Sequence, residues 1–170
     1  MAPSPSETRT TLSLTPFEVA SLSLCGTIVV SNFIYTLLVF PDLPATVAVH
    51  FDLSGEADGW GSKEWLWLIP ILSILIWAGL GILIRYPHLF NYPVPITDDN
   101  RERQYRLARG IVLLLNLQCV AFLAFLNLQS IEIAQRGSDG LPAWLTGAFL
   151  ACVFGTIGIY LWRATKTTSA

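Results

Sequence analysis

The chain is predicted to be an all-α integral membrane protein, with four transmembrane helices and a short ordered extracytoplasmic loop between helices 1 and 2. Three observations predict it. Of 170 residues, 53% are hydrophobic and only 13% charged, against about 25% charged in a soluble domain. That is more apolar surface than a water-soluble core of this size can hide. Four apolar runs reach spanning length, since about 20 helical residues cross a ~30 Å hydrocarbon core. They lie near residues 17–40, 65–84, 110–128 and 144–162. The basic residues divide unevenly between the two sides these runs define.

Residues 1–16 are rich in Ser, Thr and Pro and are expected to be a disordered cytoplasmic tail. The first run is expected to act as an uncleaved anchor, because only Arg9 is basic before it and no small-residue cleavage site follows. Pro41-Asp-Leu-Pro44 ends that helix. Residues 46–53 then alternate, with Val47, Val49, Phe51 and Leu53 on one face and Ala48, His50 and Asp52 on the other, as a short strand would. Gly55, Gly59 and Gly61 supply turns, and Ser62 stands where an N-cap belongs. Pro70 is expected to kink the second helix near its outer end.

Pro87, Pro93 and Pro95 keep residues 86–96 extended or turning. Thr97, Asp98 and Asp99 suit a helix N-terminus, and Asp99–Arg103 and Glu102–Arg106 are spaced for i,i+4 pairing. This helix is expected to run straight into the third span. There, Asn116, Gln118 and Asn127 need partners on other helices. In the fourth span Gly147, Ala151 and Gly155 form a small-residue stripe, read as packing within the bundle.

Eight basic residues (Arg9, Arg85, Arg101, Arg103, Arg106, Arg109, Arg163 and Lys166) fall on one side and two (Lys63, Arg136) on the other. The positive-inside rule then places both termini and the Arg-rich connection in the cytoplasm of a plasma-membrane protein. Trp60, Trp65, Trp67 and Trp144 gather at the outer interface, and Tyr160 with Trp162 at the inner one. A net charge of −2 excludes a nucleic-acid partner of the usual basic kind. Cys25, Cys119 and Cys152 all lie in apolar runs and read as packing residues, not as a disulfide or metal set.

Chemistry concentrates between the first two spans. His50, Asp52, Gly55, Asp58, Gly61 and Lys63 are the candidate binding residues of the outer loop; no catalytic residue, cofactor or metal is assigned. Three readings compete. The loop is a tight re-entry turn with Lys63 reaching towards the headgroups, a recognition surface, or a metal site built on His50, Asp52, Glu56 and Asp58. As a calcium loop starting at Asp52 it fails at Ala57, where the turn glycine belongs, and at Lys63, where the closing glutamate belongs. Arg101, Arg103, Arg106 and Arg109 are candidates for contact with lipid or a cytoplasmic protein partner.

Phe40-Pro-Asp-Leu-Pro44, His50-Phe51, Gly55 and Asp58-Gly-Trp-Gly-Ser-Lys63 resemble the signature of the membrane family known as Domain of Unknown Function 1648. The segment Asn100-Arg-Glu-Arg-Gln-Tyr-Arg106 is similar to one that often follows that domain. The apolar runs divide the chain into the tail at 1–16, a two-helix domain at 17–85 that carries the resemblance, an Arg-rich cytoplasmic connection at 86–109, a second helical hairpin at 110–163 and a tail at 164–170. The resemblance also implies kinship with SdpI-like immunity proteins, which protect bacteria against a secreted peptide toxin and can tether a repressor. A non-enzymatic binding or protective protein is therefore expected, sitting in the lipid bilayer and taking an extracytoplasmic peptide ligand. The alternatives are a metal-assisted membrane hydrolase using His50 and the loop carboxylates, and an accessory subunit of a transporter.

Overall fold

The computed structural model describes residues 12–137, 140–142 and 144–166. Four helices in it are long and apolar enough to cross a membrane. The first, α1 (Pro16–Val39), passes through a short 3-10 turn into a two-stranded antiparallel hairpin, β1 (Thr46–Phe51) and β2 (Ala57–Ser62). A second 3-10 turn, Lys63–Trp67, leads into α2 (Leu68–Leu83), followed by α3 (Arg101–Arg136) and α4 (Trp144–Thr165). The four spans match the expectation. Among the described residues the hairpin adds a small sheet to an otherwise helical fold.

The 36 residues of α3 make a rod about 54 Å long at ~1.5 Å per residue, well beyond the hydrocarbon thickness. It is continuous from the Arg-rich segment through the span, as expected. Gly137 ends it at φ 65, its N–H donating to the Ile133 carbonyl, since an L side chain rarely adopts that conformation. α3 is also the hub, packing against α1, α2 and α4. Its three expected amides each reach a different neighbour. Asn116 donates to the Trp77 carbonyl of α2 at 3.3 Å, and Gln118 to Thr156 Oγ1 of α4 at 2.7 Å. Asn127 donates to Asn32 Oδ1 at 3.0 Å and Thr36 Oγ1 at 2.7 Å, both on α1.

The α1–α3 seam is in register along its length. Arg109 pairs with Glu18 and Asn127 with Thr36, both at a sequence separation of 91, so the two helices run parallel. Antiparallel to α3, α4 joins Gln104 at one end of α3 to the Ala164 carbonyl at 3.0 Å. Both ends of the described chain therefore lie with the α2–α3 connection, opposite the hairpin. Tyr92 braces that connection by donating to the Pro87 carbonyl at 2.7 Å and stacking on Tyr105 with 5.6 Å between centroids. Burial, and then the nearby phenols of Tyr105 and Tyr160, hold Tyr92 protonated well above the usual tyrosine range.

Several local expectations need correcting. Pro70 falls in the first turn of α2, where backbone N–H groups lack helical partners anyway, so no ladder bond is lost there. Helix α3 starts at Arg101 after Asn100, whose Oδ1 accepts from Thr97 N–H. Asp98 and Asp99 thus precede the helix, and Asp98 instead pairs with Arg101 at 2.6 Å. The small-residue stripe of α4 faces outwards. Gly147, Ala151 and Gly155 are exposed, and a Cβ at either glycine would meet no atom within 4 Å. Among the cysteines only Cys25 is buried, Cys152 being exposed.

Candidate functional site

The hairpin is positioned by three local devices. Lys63 donates to the carbonyls of Phe40 at 3.1 Å and Leu43 at 3.2 Å, and lies 4.8 Å from the Phe40 ring centroid. A cation on the carbonyls just beyond α1 complements the negative end of the helix dipole. Instead of reaching for headgroups, Lys63 ties the far end of the hairpin back to its start. Beneath it, Leu43, Val47, Leu66 and Ile131 form a buried apolar cluster that seats the hairpin on α3. At the tip, Gly55 adopts φ 90 and its carbonyl accepts from Leu141 N–H at 2.7 Å, beside Gly140 at φ 104. A Cβ on Gly55 would sit 2.2 Å from the Leu141 carbonyl oxygen, so only glycine permits this backbone-to-backbone dock.

Asp52 organises the tip loop. Its carboxylate accepts from Ser54 Oγ at 2.7 Å and from Glu56 N–H at 2.9 Å. The Ser54 hydroxyl, ahead of the backbone donors, holds this carboxyl below its usual range despite some opposing desolvation. The predicted alternation of β1 does not hold. Register shifts between Ala48 and His50 and between His50 and Phe51 leave Val47 and Ala48 both buried and Val49 and His50 both exposed. Leu53, expected on the face with Val47, is 86% exposed at the tip. An irregularity of this kind re-aims side chains.

That shift aims His50. Its partner across the ladder is Gly59, where a Cβ would lie 2.7 Å from the His50 Cβ. The bare glycine leaves room for the imidazole to lean over β2, and Nδ1 meets Asp58 Oδ1 at 2.5 Å. With Nδ1–H donating to the carboxylate, Nε2 is the ring nitrogen left to accept a hydrogen bond. It bonds to no other described residue, and the side chain is 70% exposed. His50 and Asp58 thus form one fixed, exposed polar unit. Asp52, Gly55, Gly61 and Lys63 build the frame. Glu56 contributes its backbone to the loop through Asp52. Among the described residues no three His, Cys, Asp or Glu side chains come together as a metal site.

At the opposite end the four arginines part ways. Arg101 and Arg106 are held by Asp98 and Glu102, and Arg103 has no ion pair among the described residues. Arg109, expected at the lipid or partner face, is buried. It is 2% exposed, and its Nε and Nη2 lie 2.9 Å from the two Glu18 carboxylate oxygens, while Nη1 donates to the Leu12 carbonyl at 3.0 Å. Glu18 also completes a capping box with Thr15. The signal was in the sequence, because Thr15-Pro-Phe-Glu18 is the box pattern with proline at the first helical position. So residues 12–15 of the expected tail are ordered around Arg109, and residues 1–11 lie outside the described ones.

A bundle of four apolar helices, capped by a hairpin docked on its hub, defines a multi-pass membrane protein. Residues 27–74 match the family model described as Domain of unknown function (DUF1648), which takes in most of α1, the whole hairpin and the start of α2. The chain is also 32% identical over 82 residues to an uncharacterized protein of Archaeoglobus fulgidus, a match covering 44% of this chain and 45% of that relative's length. The chain therefore spans less than half of the relative it matches. No solved structure matches it.

Proposed function

We propose that this is a plasma-membrane protein with both termini and the α2–α3 connection in the cytoplasm, and that its outward hairpin recognises an extracytoplasmic peptide ligand. The role is binding and protection of the SdpI-like immunity kind. One observation carries the reading: the Asp58-braced imidazole of His50 on an ordered hairpin docked at both ends. A solvent-facing ring nitrogen with a fixed direction suits recognition, and the glycines at 55 and 59 serve its placement. The eight-to-two division of basic residues supports the orientation.

The test is protection. Cells expressing the chain are challenged with a panel of secreted membrane-active peptides, alongside cells expressing His50→Ala, Asp58→Ala or the remote control Asp99→Asn at equal membrane levels. Protection against one peptide, lost in both hairpin variants and kept in the control, is the expected result. Equal protection from wild type and hairpin variants would refute recognition at this site.

A further inference from the structure

A groove of about 280 Å³ lies between the hairpin and the first turn of α2. Its walls are the indoles of Trp60 and Trp65, exposed by 58% and 60%. Its floor is Gly61, where a Cβ would press within 3.3–3.4 Å of Val49 and Trp65. Any larger residue at 61 would narrow the space. Ligand sites of this character are mostly apolar with few polar groups, and run from about 300 Å³ upwards, so this one suits a single slender chain.

Two features say what fills it. The lining residue Leu68 begins an exposed stripe on α2 that continues through Leu72 and Leu75, at the i, i+4, i+7 spacing of one helix face. That stripe faces hydrocarbon in a spanning helix, and the groove is its continuation at the level of the tryptophan belt. The second is Ser130 of α3, which lines the groove, is only 2% exposed and forms no side-chain hydrogen bond within the described residues. Its hydroxyl is one of the few polar groups lining an apolar groove, free to donate to an acceptor that enters there.

We propose that this groove holds the glycerol-proximal part of one acyl chain from a phospholipid of the surrounding leaflet, with the ester carbonyl accepting a hydrogen bond from Ser130. The bound chain wedges the hairpin against α2 and fixes its height at the membrane surface. This goes beyond the recognition role, because it requires neither His50 nor Asp58. The full chain is reconstituted into phosphatidylcholine bilayers carrying a diazirine near the ester end of one acyl chain, irradiated and mapped by mass spectrometry. Labelling of residues 49–65 severalfold above that around Trp144, a freely exposed reference at the hairpin end of α4, is expected. Val49→Phe, which fills the groove from its exposed rim, should bring hairpin labelling down to the reference level, and Ser130→Ala should lower it in part. Hairpin labelling no higher than at Trp144 would overturn the proposal, as would labelling unchanged in a normally inserted Val49→Phe. The wild-type comparison decides the matter even where the variant inserts poorly.

Discussion

At the residue scale, single atoms set the geometry of the hairpin. Gly59→Ala places a methyl group against the His50 Cβ and should cost about 1–3 kcal/mol, as forced overlap does. The expected readout is loss of the His50–Asp58 contact in NMR spectra while the four helices stay intact. Asp52 gives a pH signature. Its folded pKa lies below the unfolded value of about 3.9, so its contribution is full above that pH and lost as pH falls through the folded value. Hydrogen exchange at the Glu56 amide should therefore accelerate beyond its intrinsic trend only below about pH 4, and Asp52→Ala should abolish that step. His50, Asp58 and the turn glycines could be singled out from the sequence because polar groups between apolar runs stand out. Lys63 was legible as important but not in its role, since a lysine near an interface reads as a headgroup contact until the Phe40 and Leu43 carbonyls are seen beneath it.

Between elements, α3 holds the bundle together through polar contacts. Arg109→Ala would leave Glu18 buried without its cation. The expected loss is about 3–5 kcal/mol, measured by denaturant or thermal unfolding in detergent, with Glu18→Ala/Arg109→Ala together costing less than the sum of the two. Asn127→Leu removes two hydrogen bonds to α1 and should cost about 1 kcal/mol, since interhelical hydrogen bonds in membranes average only about 0.6. The helices, and the need of Asn116, Gln118 and Asn127 for partners on other helices, were legible because apolar runs and buried amides obey simple rules. Strand β2 was hidden, because Ala57-Asp-Gly-Trp-Gly-Ser62 contains two glycines and no alternation of apolar residues. Its pairing comes from β1 and from the Gly55 dock, which are tertiary effects. The outward turn of the α4 stripe was equally illegible, since small residues mark where a backbone could approach without saying which backbone does.

For the whole molecule, the membrane class followed from composition and run length alone, and three spans came out within a few residues, while α3 runs to Arg136, eight residues past the expected end. The working surface was harder to see, because it depends on the hairpin being seated by α3 and by the α3–α4 connection through Leu141. Gly55→Ala tests that seating. The strain of a positive φ at a non-glycine residue, about 1–3 kcal/mol, adds to the clash with the Leu141 carbonyl. Limited proteolysis should then cut at the hairpin tip in the variant but not in wild type.

The measurement that bears most directly on the account is thiol accessibility in intact cells, in a background with Cys25, Cys119 and Cys152 replaced by alanine. Ser54→Cys at the hairpin tip should react with a membrane-impermeant maleimide from outside. Asp99→Cys on the α2–α3 connection should react only after permeabilisation. Labelling in the reverse order, with Asp99→Cys reacting in intact cells and Ser54→Cys shielded, would put the His50–Asp58 pair in the cytoplasm and contradict outward recognition.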